Sequence, residues 1–197
     1  MADGKRLGKG ERTKRAMADA LEELVGQMPL DKIRVRTVTE RVGVDRQTFY
    51  YHFDTMADLA RYLYNCRMEA MREQLPACDD AGSLFLLVAG AVEENRELLA
   101  ALLDGVGRQP MRALLQDDAF AVLFAQARAM CEAQGIDAAE DDLRFAAEFC
   151  LLASASLFVD WLEGRRAGTA EDVARDAARA FECHICGLMA QSRQLVA

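Results

Sequence analysis

Apolar residues in the first sixty positions recur at helical spacing. Met17, Leu21, Leu24, Val25 and Met28, with Ala16 and Ala20, share one face, while Lys14, Arg15, Asp19, Glu22 and Glu23 line the other. This predicts a first helix from near Arg12 to near Met28, stopped by Pro29, which disfavours helical geometry at the residue before it. Leu30 and Ile33 are apolar anchors for the linker that follows. Val35, Val38 and Val42 fit one face of a short second helix, and Gly43 stands where a C-terminal cap needs positive φ. Asp45 is a good N-cap for a third helix with Arg46 to His52 as its body. Two short helices joined by a glycine-containing turn form a helix-turn-helix pattern. A plain αα corner packed for stability would not require the polar residues that open the second of them.

Downstream, Asp54 is the expected cap of a fourth helix through about Leu75, with Leu59, Leu63, Cys66 and Met71 among its apolar positions and Pro76 beyond its end. Further helices are expected from about Gly82 to Leu103, Met111 to Gln134 and Ala138 to Glu163, with interruptions within the first two. Gly105, Gly107, Pro110, Gly135, Gly164 and Gly168 mark the junctions. FAAEFCLLASASLFVDWL, Phe145 to Leu162, carries only Glu148 and Asp160 as charges, so its helix is apolar nearly all round and needs cover on both sides. A last helix from about Thr169 to Met189 shows Val173, Ala177, Ala180, Phe181, His184 and Leu188 on one stripe. Two such helices from each of two chains would make a four-helix interface of the kind C2 dimers favour. Phe158, Trp161, Val173, Ala177, Phe181, His184 and Leu188 are the expected dimer contacts. The chain is thus expected to be all-α, with a tail and helix-turn-helix head over residues 1–53 and a helical body over 54–197.

Composition agrees with helices: 52% of residues are hydrophobic and only three are prolines. Charge adds a division that the apolar pattern does not show. The net charge is −8, yet the first 53 residues carry eleven Lys and Arg against eight Asp and Glu, and the remainder thirteen against twenty-four. A basic head on an acidic body suits a head that meets a polyanion and a body that stays off it. The basic N-terminal tail is expected to be disordered. It has no apolar core to serve as a signal peptide, and no stretch reaches the ~18 uninterrupted apolar residues of a membrane span, so cytoplasmic residence without membrane contact is expected. The six cysteines are then read mostly as small buried hydrophobes.

Catalytic and metal chemistry finds little material. GKRLGKGE fails as a phosphate loop, because Gly4 and Gly8 enclose three residues rather than four and Gly10 follows Lys9. Only His52 and His184 are available for triads or metal centres, and neither stands in HExxH or has a Glu three residues before it. The acid pairs Glu93-Glu94 and Asp117-Asp118 and the run Glu140 to Asp142 read as solvated or capping charges. Cys183-His184-Ile185-Cys186 supplies two thiols on one helical face where zinc needs four ligands; only pairs meeting across a twofold axis would complete such a site. No catalytic residue, metal or cofactor is expected.

DNA recognition fits the head better. A helix in the major groove presents short or forked polar groups near its N-terminus, with phosphate donors around them. Arg46 can read guanine, Gln47 adenine, and the Thr48 methyl suits thymine, while Tyr50, Tyr51 and His52 can hold phosphates. Phe49 and Phe53, four apart, share a face and are expected to pack the head's core.

IRVRTVTERVGVDRQTFYYHFDTMADL, Ile33 to Leu59, resembles the DNA-binding signature of the TetR family of transcriptional regulators, and the similarity extends upstream to Thr13. FVDWLEGRRAGTAEDVARDAARAF is similar to the last two helices of one subgroup, which includes activators. The resemblance implies a homodimer that places its third helices in successive major grooves of a palindromic operator in double-stranded DNA, usually as a repressor, with a body that binds a small-molecule effector. Carried over by position, the DNA contacts are Arg36, Arg46, Gln47, Thr48, Tyr50, Tyr51 and His52. Tyr62, Met68, Phe85, Phe120, Phe124, Phe145 and Phe149 are the candidate effector contacts, being large, on body helices and helically spaced. Two positions depart from the family pattern. Arg34 stands where a capping Thr is usual and can add a phosphate contact instead, and Asp54-Thr55-Met56 replaces a stretch that commonly holds a phosphate-clamping Lys, where backbone amides at the helix N-terminus can still bind phosphate.

Overall fold

The computed structural model describes residues 8–116 and 119–196; the basic tail before Gly8 and the Asp117-Asp118 pair lie outside the described residues. Among those described there are eleven α-helices, two short 3-10 turns and no strand. They sort into two compact units, one of them running to Met68 and taking in Glu97–Gly107, the other made of Glu69–Arg96 and the chain from Arg108 onward.

The first unit contains α1 (Lys9–Val25), a 3-10 turn at Leu30–Lys32, α2 (Val35–Val42), α3 (Arg46–His52), α4 (Met56–Arg67) and, after a long excursion of the chain, most of α7 (Arg96–Val106). α1 packs on α2 and α4, and α2 on α3. Met17, Leu21 and Leu24 of α1, Val38 of α2, Phe49 of α3 and Leu59 and Leu63 of α4 are buried, each contributing about 1.5–3 kcal/mol of apolar transfer. The fourth helix is capped by Thr55 rather than Asp54. Thr55 Oγ1 accepts from Asp58 N at 3.2 Å while Asp58 Oδ2 accepts from Thr55 N at 2.9 Å, a reciprocal box that Asp54 has no residue to complete. It also stops at Arg67, with a separate helix following, instead of continuing to Leu75.

Gly105 differs from its expected place in a loop: it lies inside α7. A Cβ there would stand 2.3 Å from Leu30 Cδ2 and 2.5 Å from Leu30 Cβ, so the absence of a side chain lets the Leu30 turn seat against the helix backbone. Gly107, with φ of +88°, is the residue that ends the helix.

The second unit holds α5 (Glu69–Gln74), a 3-10 turn at Leu75–Ala77, α6 (Ala81–Glu94), α8 (Arg108–Gln116), α9 (Phe120–Ala133), α10 (Glu140–Leu162) and α11 (Ala170–Val196). α11 packs on α6, and α10 on α8, α9 and α11. Asn95 divides the long helix expected from Gly82 to Leu103, as an expected interruption. The turn from α10 to α11 is tied down by polar contacts. Trp161 Nε1 donates to Gly168 O at 3.0 Å, the Arg96 guanidinium lies 4.1 Å from the Trp161 ring centre, and Arg108 pairs with Asp160 at 2.6 Å and with Glu163. α10 has an 18-residue window of mean hydropathy 1.6, enough by length and composition for a membrane span, but 56% of that window is buried inside the fold.

Candidate nucleic-acid interface

The recognition element is built from its two ends. Gly43, at φ +76°, ends α2 in left-handed geometry, and its N–H donates to Thr39 O at 2.9 Å. After one residue, Asp45 starts α3: its Oδ1 accepts from Thr48 N at 2.6 Å and from Thr48 Oγ1 at 2.8 Å. Those bonds, the backbone one foremost, hold the Asp45 carboxyl below the usual carboxylate range, so the cap stays charged at neutral pH. Phe49 and Phe53 point inward as expected, with ring centres 5.8 Å apart and both side chains buried. The Phe53 ring meets Tyr62 of α4 edge-on at 5.6 Å. With one face so anchored, the rest of α3 must face outward.

That outward face carries the predicted readers. Arg46 and Gln47 are exposed, and neither has an acid or hydrogen-bonding side-chain partner among the described residues. Tyr51 is 83% exposed and Tyr50 51%, with His52 half-buried and its ring edge-on to Tyr51 at 4.9 Å. Two of the seven expected contacts are already engaged. The Thr48 hydroxyl donates to the Asp45 cap, which leaves its methyl as the free group. Arg36 Nε donates to Glu40 at 2.6 Å on the surface of α2. An exposed pair of that kind is weak enough in water to be exchanged for a phosphate. Arg34 begins α2 with extended backbone and makes no side-chain cap, as its departure from Thr implies.

The seven effector candidates divide between the two units, Tyr62 and Met68 in the first and the other five in the second. Tyr62 belongs to the first unit, where its hydroxyl donates to Glu11 Oε1 and its ring packs on Phe53; burial and that bond push its pKa up. Met68 and Phe85 are buried, in different units, and the Phe85 ring stacks on Phe158 at 6.5 Å. Phe120 and Phe124 stack at 5.9 Å with Arg128 5.1 Å and Arg144 5.4 Å from the Phe124 ring centre, a surface ladder. Phe145 and Phe149 are exposed on α10. Two open clefts in the second unit, of about 400 and 490 Å³, are lined by none of the seven; the larger is formed by Met130, Ala133, Gln134, Cys186, Met189 and Ala190.

The expected dimer contacts also divide. Phe158, Trp161, Val173, Ala177 and Phe181 are buried within the single chain and have no surface left to offer a second one. His184 and Leu188 stay half-buried. The apolar surface that is open lies a step away on α10, where Phe145, Phe149 and Leu152 are 62%, 52% and 56% exposed and, spaced four and three apart, form one stripe. His184 stacks on Phe149 at 5.4 Å, beside the exposed small residues Ala180, Cys183 and Gly187 of α11. The sequence marks Phe145 and Phe149 as effector candidates, because aromatic residues on a body helix suggest a pocket, and does not single out Leu152.

Compared with known proteins, residues 18–63 match the family described as bacterial regulatory proteins, tetR family. No curated protein matches the chain. Among solved structures, a TetR transcriptional regulator from Rhodococcus sp. RHA1 is similar at a TM-score of 0.61 and 18% identity, over 89% of this chain and 97% of that one. A putative transcriptional regulator from Pseudomonas aeruginosa PAO1 superposes at 0.62 with 19% identity, over 96% of each chain. The TetR family repressor AlkX from Dietzia sp. strain DQ12-45-1b, implicated in biodegradation of n-alkanes, gives 0.54 and 16% identity over 94% and 97%. At such identities the likeness is one of fold.

Proposed function

We propose that the chain is a transcriptional regulator of the TetR family, and that it is an effector-responsive homodimeric repressor acting on a palindromic operator in the cytoplasm; the match of its head and its all-helical fold support this reading. One observation carries the DNA reading: α3 is anchored by Phe49 and Phe53 and projects Arg46, Gln47 and Tyr51 outward, with no acid or hydrogen-bonding side-chain partner for Arg46 or Gln47 among the described residues. Arg46 would take guanine O6 and N7 as a fork and Gln47 an adenine edge, while the Thr48 methyl meets a thymine. Tyr50, Tyr51, His52 and a released Arg36 would hold phosphates and set the register.

A palindrome calls for two heads, and the surface suited to joining them is the Phe145, Phe149, Leu152 stripe with Ala180, Cys183 and Gly187 beside it. A second copy is its fitting occupant, because a twofold axis sets the same apolar stripe against itself and the small α11 residues permit close approach. An effector would act by binding more tightly to the arrangement of heads that does not fit the operator. The experiment is selection of bound sequences from random duplexes by the full-length protein, followed by a reporter driven from the selected site. A palindromic consensus with reporter output falling on expression supports repression, and rising output would make the protein an activator. Absence of any enriched sequence would reduce the head to a vestige on a ligand-binding or interaction module.

A further inference from the structure

Ten of the described cations of the first unit fall into two groups. Lys14, Lys32, Arg36, Arg41 and Arg67 are each held by a carboxylate, of Glu11, Asp31, Glu40, Glu23 and Glu22 respectively. Lys9, Arg12, Arg34, Arg46 and Arg61 are exposed and have no acid partner among the described residues. Arg46 opens α3, whereas Lys9 and Arg12 lie in the first turn of α1. The fold brings that turn to the other end of the recognition helix: a Cβ on Gly10 would stand 3.5 Å from His52 Cε1. Glu11, between them in sequence, does not neutralise them, because it accepts the Tyr62 hydroxyl and faces Lys14.

We propose that Lys9 and Arg12 are further positioning residues for DNA, holding backbone phosphates next to those met by Tyr51 and His52. The proposal rests on α3 as the DNA-reading helix, and it deepens that reading with a second clamp at the C-terminal end of α3. The clamp stands in for the lysine that Asp54-Thr55-Met56 lacks. Lysine supplies a point charge and arginine a fork, and both suit phosphate oxygens. Phosphate contacts fix orientation without reading sequence, and each releases about one counterion.

The test uses the full chain and two labelled duplexes of about 30 base pairs, one enriched from random sequence and one a scramble of it, titrated between about 50 and 200 mM KCl. Lys9→Ala with Arg12→Ala should lower affinity for both duplexes by the same factor and make the slope of log affinity against log salt shallower by about two. Lys9→Gln with Arg12→Gln should do the same while circular dichroism matches the parent. An unchanged slope overturns the proposal, and so does a loss confined to the enriched duplex, which would make the pair base readers. Arg46→Ala tests the underlying reading separately. It should cut the preference between the duplexes by roughly 5- to 150-fold, and a preference equal to the parent's would sink α3 as the reader whatever Lys9 and Arg12 do.

Discussion

Gly105→Ala perturbs the contact that seats the Leu30 turn against α7. By helix propensity alone the change stabilises an interior helical position by about 1 kcal/mol. The added methyl, however, would sit 2.3 Å from Leu30 Cδ2, 2.7 Å from Cγ and 2.5 Å from Cβ. Rotating the leucine can clear Cδ2 but not Cβ, which moves only with its backbone, so the turn must shift by about an ångström against its surroundings. Overpacking of this kind costs about 1–3 kcal/mol. The net expectation is a loss of up to about 2 kcal/mol, or a Tm lower by at most roughly 4–8 °C for a chain of this size. Thermal unfolding followed by circular dichroism measures it, and a partner substitution reverses the sign. In a Leu30→Gly background all three clashing atoms are gone, and adding Gly105→Ala should now raise Tm. The same change in Tm on adding Gly105→Ala in the Leu30→Gly background as in the parent would refute the seating of Leu30 on α7.

Two other predictions concern the assembly and its acid sensitivity. Phe149→Glu with Leu152→Glu should leave the helical content unchanged and convert the protein from dimer to monomer in light scattering, since both side chains lie on the exposed α10 stripe; a variant that stays dimeric places the interface elsewhere. The Arg108 guanidinium holds the Asp160 carboxyl below the usual range, and the helix-capping bonds from Thr48, Ser83 and Thr169 do the same for Asp45, Asp80 and Asp172. A carboxylate with a depressed folded pKa contributes its stability above the unfolded value of about 3.9 and loses it as pH falls through the folded one. Tm should therefore be level at neutral pH and fall below about pH 4, with a shallower fall in Arg108→Met.

The head was largely legible in its sequence because short-range chemistry decides it. Gly43 and Asp45 announce the turn, and the spacing of Phe49 and Phe53 announces which side of α3 is inside. The cap of α4 was misplaced because Asp54 and Thr55 are both good N-caps, and only Asp58, three residues after Thr55, discriminates between them. Gly105 was misread for a different reason. Glycine in a helix looks like punctuation until the neighbour that requires it, Leu30, is seen seventy-five positions away in the fold. The body was legible only as helices. An apolar stripe shows that a face is covered but not by what: Val173, Ala177 and Phe181 meet their own chain, while Phe149 and Leu152 are left open. The size of an aromatic residue likewise does not separate a pocket wall from a surface ladder such as Phe120 and Phe124 with Arg128 and Arg144.

The central claim, that α3 reads DNA, is tested most directly by comparing the parent and Arg46→Ala on the enriched and scrambled duplexes by fluorescence anisotropy at a fixed salt concentration. The account predicts that the parent prefers the enriched site and that Arg46→Ala loses about 1–3 kcal/mol of discrimination at one guanine position while still binding both duplexes. An Arg46→Ala protein with the parent's full preference would contradict it.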